Sequence, residues 1–498
     1  MSNPVRVPGV IVLVAALSSW ACGREPASAP GPTVADLLGA WSGTMVHEGE
    51  EQMLALELEP VEGGKVSVRL TLPAMNLVRL PAGTVEPRIE GHQVTVGVFH
   101  LTWDGQAETL TGTMPADMVP VYEIPVTLRR VEAVEAPTRA ELTSPLAEPA
   151  WSFDAGAPLW AGATFADGLV YAGDDEGWLH ALDAHTGAER WSFAARGPIR
   201  ARATIADGAV FFQSDDGILY RLDAASGREV WQSLVVEEPI ERLPPGDPRS
   251  RYLSFASDVT VADGRLFLGT HDGRLLAVDP ADGRQVWEFE ADGGVLAAPS
   301  VSGGRVYFGS FEGEVQALDA ATGRALWKTD TRGAVVSTPA VAGDLLVVGN
   351  RTYDLLGLRA DTGEVAWTRY IWFSWVESSA TVEGDVAYIG SSDAAAVFAV
   401  DASSGRQLWR TDVHGWAWGQ PAVTADRVFV ETAGMRGYAG DAHRGGVLAL
   451  KRDTGQVVWR YAVDPPEEGP WGFPGSPAVG AGHVFVTGID GRVLAFEQ

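Results

Sequence analysis

Five side chains stand out as able to grip a polar ligand or move a proton: Arg200, Arg202, Asp258, Glu377 and Gln420. They fall at two equivalent positions of a segment that recurs along the chain, where other copies mostly carry small or apolar residues. The first position is filled in turn by Gly162, Arg202, Asp258, Ala298, Thr338, Ser379, Gln420 and Ser476. Two residues earlier stand Trp160, Arg200, Ala256, Leu296, Val336, Glu377, Trp418 and Pro474. Guanidinium groups can fork onto a carboxylate or phosphate, and a neighbouring carboxylate can serve as a base. The same set could instead balance its own charge around a water-filled channel, so a small-molecule site and a neutral channel are both open readings.

A second group is aromatic. Trp372, Trp375, Trp416, Trp418 and Trp471 lie in or beside connecting segments, with Tyr370, Phe373, Tyr461 and Phe473. They are expected to form one continuous aromatic sector, acting as a ligand or partner surface, as a plug between loops, or as a seat for another domain. Other chemistry is sparse. The single cysteine, Cys22, permits no disulfide within the chain and no cysteine metal site. The nine histidines are scattered without zinc-protease spacing, so no metal site is expected. A net charge of −28 argues against nucleic acid, which needs a basic footprint, and against electrostatic docking on anionic lipid.

The elements that must position these residues are repeats. Tryptophans 191, 231, 287, 327, 367, 409 and 459 end successive copies at spacings of 40, 56, 40, 40, 42 and 50 residues. In the best copy, four strand signals lie at Ala298–Val301, Arg305–Ser310, Glu314–Leu318 and Arg324–Trp327, separated by Gly-containing turns. Four short strands at such a period predict propeller blades, which must stack around an axis to bury both faces. The stretch Ala150–Asp154 has only the Trp-bearing end of a copy, and Gly475–Gln498 has everything except that end. Together they complete an eighth blade, so an all-β, eight-bladed ring is expected over 150–498, closed by strands from both of its ends.

The run ALDAATGRALW, Ala317–Trp327, resembles the tryptophan-docking motif of pyrroloquinoline quinone (PQQ)-type β-propellers. It recurs as ALDAHTGAERW, RLDAASGREVW, AVDPADGRQVW and AVDASSGRQLW, and more loosely where Arg359 and Lys451 replace the Asp. Trp151, Trp191, Trp231, Trp287, Trp327, Trp367, Trp409 and Trp459 are the docking residues. That resemblance implies the fold. It leaves function open, because the family holds both dehydrogenases and proteins without known chemistry.

Residues 1–21 read as an export signal, with Arg6, the apolar Val7–Leu17 and small residues up to Ala21. Cys22, followed by the Pro/Ala/Ser-rich tether to residue 32, resembles a bacterial lipoprotein leader, which implies lipidation at Cys22 and attachment without a membrane span. Gly23 beside it resembles the pattern of lipoproteins passed to the outer membrane. Residues 33–130 alternate with period two, as in Leu54, Leu56 and Leu58, Val66, Val68 and Leu70, and Val94–Val98, predicting a small antiparallel β-barrel-like domain. Its G-x-W-x-G opening and P-V-x-L-x-R closing resemble a lipocalin-like domain found ahead of some exported hydrolases, though no Ser-His-Asp set follows here. Residues 131–149 read as a linker.

Relative to the 40-residue copies, extra residues lie in Val235–Leu253 and Glu431–Gly446. Both connections emerge on one face of a ring of four-stranded blades, which marks that face for binding. On a lipidated tether, such a ring resembles the propeller lipoproteins of the outer-membrane β-barrel assembly machinery, implying a non-catalytic scaffold in the cell envelope, facing the periplasm or the cell surface. The expected partner is an envelope protein or a small, saccharide-like ligand on the loop face. The alternative is a quinoprotein dehydrogenase. In that class PQQ lies between a Trp and a vicinal disulfide, beside Ca²⁺ and an Asp base. Trp418 and Asp258 are of suitable types, but the vicinal thiols are missing, so no cofactor is expected.

Overall fold

The computed structural model describes residues 31–47, 50–75, 77–115, 123–135, 142–240, 256–436 and 443–498. The expected export leader, Cys22 and most of the expected tether lie outside these residues, as do parts of both insertions. Blades 1 to 7 occupy residues 164–194, 204–234, 260–290, 300–330, 340–370, 381–412 and 422–463, each four antiparallel strands in sequence order from the axis outwards. Blade 8 takes Ala478–Gly480, His483–Thr487 and Arg492–Glu497 from one end of the ring and Trp151–Asp154 from the other. Trp151 pairs with Ala495 and Asp154 with Arg492, so the expected closure is present. The outer strands run past the tryptophan, as in Ala325–Asp330, because Lys328 and Asp330 still pair with Gln316 and Glu314.

The repeat motif works between blades. Trp327 Nε1 donates to the Ala360 carbonyl of the next blade at 3.1 Å. Trp151, Trp191, Trp231, Trp287, Trp367 and Trp409 do the same at 3.0–3.1 Å. Each ring lies over the motif glycine of that next blade. A Cβ on Gly323 would fall 2.7 Å from the Trp287 ring, and its φ of 72° already favours glycine. The motif Asp shapes the turn: Asp319 Oδ1 accepts from the Thr322 N–H at 2.9 Å and hydroxyl at 2.7 Å, which lowers its pKa. Trp459 differs. It packs on Phe496, centroids 5.5 Å apart, because blade 8 draws its outer strand from Trp151–Asp154 rather than from a following motif.

Before the ring lies one nine-stranded antiparallel sheet: β1 (Gly39–His47), β2 (Glu50–Val61), β3 (Lys65–Leu72), β4 (Leu77–Val85), β5 (Arg88–Glu90), β6 (Gln93–Val96), β7 (Phe99–Asp104), β8 (Thr109–Pro115) and β9 (Glu123–Val131). Its order is β4-β3-β2-β1-β9-β8-β7-β6-β5, curled into a half-barrel. The alternating residues face its interior, Leu54, Leu56, Leu58, Val66, Val94, Val96, Ile124, Val126 and Leu128 each 2% exposed or less. Val98, expected to continue the row, is exposed because the chain reverses at Gly97, φ 58°. The opening and closing motifs meet: Arg130 lies 4.5 Å over the Trp41 ring and donates to the Leu38 carbonyl at 2.7 Å.

The end of the linker segment is fixed on the propeller. Ala147 N donates to Arg460 O at 2.8 Å and Arg460 N to Pro145 O at 3.0 Å, adding a parallel bridge to the outer strand of blade 7.

Candidate functional site

Building the mouth of the channel begins with the inner segments, which precede each blade's first strand and converge on the axis. All the positions aligned from sequence, from Trp160 and Gly162 to Pro474 and Ser476, line one cavity of about 110 Å3. Arg202 Nε donates to Asp258 Oδ2 at 2.8 Å, and the Arg202 backbone N–H donates to Asp258 Oδ1 at 2.6 Å. The far end of the same guanidinium meets Gln420 Oε1 at 3.4 Å.

A second tier comes from the turns between second and third strands, which the sequence reading did not single out. Asp175 takes Arg200 in a forked pair at 2.8 and 2.7 Å, and this guanidinium lies 5.0 Å over the Trp160 ring. Arg351, at the equivalent turn position of blade 5, lies between Phe311 and Trp375 at 5.2 and 4.8 Å. Its Nε donates to Glu377 at 2.7 Å. Ser392, again at that position, accepts from Trp418 Nε1 at 3.2 Å. Aligning the second-to-third turns as carefully as the inner segments would have found Asp175, Arg351 and Ser392. The mouth thus carries Arg200, Arg202 and Arg351 against Asp175, Asp258 and Glu377, each cation on its own carboxylate.

The single aromatic sector expected from sequence is divided among several separate settings. Tyr370, Trp372 and Phe373 leave the mouth and complete the core of the half-barrel, with Trp372 6% exposed. Trp372 Nε1 donates to Glu50 Oε2 at 3.2 Å, and Arg410 Nη2 donates to the Ala74 carbonyl at 3.2 Å. Phe373 and Tyr353, both at positive φ (55° and 72°), stack edge to face at 6.1 Å in this joint. Trp375 stays at the rim with Arg351. Trp416 and Trp418 stack 4.7 Å apart, Trp416 2% exposed, against Ala433. Trp471 belongs to a short strand, Pro470–Gly472, paired with Ala433–Met435, its ring fitting where Gly434 and Gly445 lack side chains. Tyr461 and Phe473 pack in the core between blades 7 and 8. The reason for the division is burial: each group of rings finds partners of its own and does not meet the other groups.

The residues at the mouth do not fit the quinone of the dehydrogenase class. Ligand pockets generally span about 300–1,000 Å3, whereas this cavity is about 110 Å3. Arg200 covers the Trp160 face, and Trp418 is covered by Trp416. Among the described residues no three His, Cys, Asp or Glu side chains are grouped to hold a metal ion. No helix among them is long and apolar enough to cross a membrane.

A closed ring of four-stranded blades, locked by Trp–Gly contacts, defines a PQQ-repeat β-propeller. The family profile described as outer membrane protein assembly factor BamB matches residues 130–248, 242–374 and 371–497, and the chain belongs to that family. Among individual relatives, BamB of Yersinia pestis is 31% identical over 120 residues, a stretch that spans 24% of this chain and only 28% of that protein. BamB of Moraxella catarrhalis superposes with a TM-score of 0.54 at 17% identity, over 71% of this chain and all of that one. A quinohemoprotein alcohol dehydrogenase of Pseudomonas putida gives 0.52 at 14% identity, over 72% and 78%. At such identities the structural likenesses speak for the fold alone.

Proposed function

We propose that this chain is a non-catalytic assembly scaffold of the cell envelope, tethered by a lipid at Cys22, that holds a protein partner on the loop face of its propeller. The observation that carries this reading is how the loop face is used. Between blades 5 and 6 it already seats a folded domain through Tyr370, Trp372 and Phe373, while its central cavity is small and its charges are matched. Such a face suits large, shape-matched surfaces better than an enclosed small ligand. Membership of a family described as an outer-membrane assembly factor supports the same reading. The partner is then a component of the machinery that assembles β-barrel proteins in the outer membrane.

The test is affinity capture from native membranes with Cys22 intact, read against charge reversals in the 235–253 insertion. Co-purification of a β-barrel assembly component, lost on those reversals, is the expected result. Cys22→Ser should shift the protein to the soluble fraction or leave the leader uncleaved. Micromolar binding of PQQ with Ca²⁺, accompanied by dye reduction with alcohols, would overturn the scaffold reading in favour of a dehydrogenase.

A further inference from the structure

In five blades the fifth residue of the second strand is glycine, because the inner segment of the next blade packs directly onto it. A Cβ on Gly309 would fall 2.2 Å from Val335, and one on Gly390 would fall 2.1 Å from the Ala417 carbonyl. Blades 2, 7 and 8 carry side chains there instead: Gln213, Glu431 and Thr487. Two of these are satisfied by the next blade. Gln213 Nε2 donates to the carbonyls of Ser257 and Gly269, the latter at 3.2 Å. Thr487 Oγ1 donates to the Ala161 carbonyl at 2.6 Å.

Glu431 is the exception. It is 2% exposed, and neither carboxyl oxygen has a hydrogen-bond partner. The residues of blade 8 equivalent to Ser257 and Gly269 are Gly475 and Thr487. Their backbone N–H groups approach the carboxyl without reaching hydrogen-bond geometry. Its register partner within blade 7, Val447, is apolar. The charge that acts on it is Arg202, which is itself bonded to Asp258. Gln213 fills the matching joint as a neutral amide, whereas an ionised Glu431 would bring a full charge into it. A buried, unpaired carboxylate is among the costliest groups a core can hold.

We propose that Glu431 is a protonated carboxylic acid that serves as a proton-dependent latch between blade 7 and the ring-closing blade 8. With its proton it fills the joint as a neutral group, as the Gln213 amide does between blades 2 and 3. On losing the proton it places an unsolvated charge in the joint and loosens it. Burial drives the carboxyl's pKa well upward; the Gly475 and Thr487 backbone N–H groups, and after them Arg202, pull it the other way without overcoming burial.

The folded acid keeps a proton that the unfolded chain gives up near an ordinary glutamate pKa of about 4.3. Stability contributed by Glu431 therefore falls as pH rises from that value toward the folded pKa. The experiment measures thermal midpoints of the full chain from about pH 5 to about pH 8 for wild type, Glu431→Gln and Glu431→Thr. The wild-type midpoint should fall relative to both variants as pH rises, leaving the variants the more stable at the alkaline end. Infrared spectra at neutral pH should show a protonated-carboxyl band that Glu431→Gln removes. Parallel midpoint curves overturn the proposal, as does a wild-type spectrum without the band, which needs no variant to fold.

Discussion

Arg202 and Gln420 precede blades 2 and 7, with blades 8 and 1 between them, yet Arg202 Nη2 lies 3.4 Å from Gln420 Oε1. The guanidinium therefore links segments that are not neighbours while its other edge is held by Asp258 at 2.8 Å. This bridging is why the mouth narrows to a small cavity despite a ring of eight blades. Removing the Arg202 side chain takes the guanidinium from a partly buried Asp258, although the backbone N–H bond to it remains. Arg202→Ala should lower stability by about 1–3 kcal/mol. The double variant with Asp258→Ala should recover part of the loss, as read by denaturant midpoints; strictly additive losses would show that the two groups are not coupled.

Gly323 is constrained twice, by its φ of 72° and by the Trp287 ring 2.7 Å from where a Cβ would stand. Gly343 shares the first constraint, φ 63°, but has open space around it. Gly343→Ala should lose about 1 kcal/mol from backbone conformation alone, and Gly323→Ala about 2–4 kcal/mol once the contact is added. Chemical denaturation of the two variants separates the terms.

Trp372 belongs to the propeller by sequence and to the half-barrel by packing. Trp372→Ala should weaken the joint by about 3–5 kcal/mol. Hydrogen exchange should then quicken in β1 and β2 around Glu50 and in the 370–373 connection, while blades 1 to 3 keep their protection.

His180, 6% exposed, lies 3.3 Å from Asp174 and 2.8 Å from Glu189. Burial opposes its charged form, but hydrogen bonds and attraction from the two carboxylates outweigh it, and its pKa is raised. The stability it contributes is fully present below an unfolded histidine pKa of about 6.5 and is lost as pH rises through the folded value. His180→Phe should flatten that part of the pH profile. An unchanged slope above neutral pH in the variant would contradict the assignment.

The ring was legible because its motif residues each do one local job repeated many times: Asp319 a turn, Gly323 a close approach, Trp287 a contact. The aligned inner segments foretold which residues reach the mouth, since a strict repeat turns sequence position into radial position. Their partners were not legible. Asp175 and Arg351 come from a different part of the repeat, and which cation meets which carboxylate depends on how neighbouring blades turn. A seat for another domain was one of the roles left open for the aromatic group, and Trp372 takes it; which of the aromatics would do so depended on the open side of the half-barrel. Glu431 carried a signal of its own, a large acid where most blades have glycine, visible once the second strands are aligned.

The pairing of Trp151 with Ala495 also sets a timetable. Chain synthesis proceeds from the N-terminal side, so the Trp151–Asp154 strand emerges early and finds its partner only after all seven intervening blades have been made. Until then the half-made ring exposes the blade surfaces at both ends of the gap. A protein built this way depends on being kept from aggregating while its ring is incomplete, and it gains its resistance to proteases in one late step. Amino-acid changes that slow that step would show as lost yield in the cell well before they showed as lost stability in the purified protein.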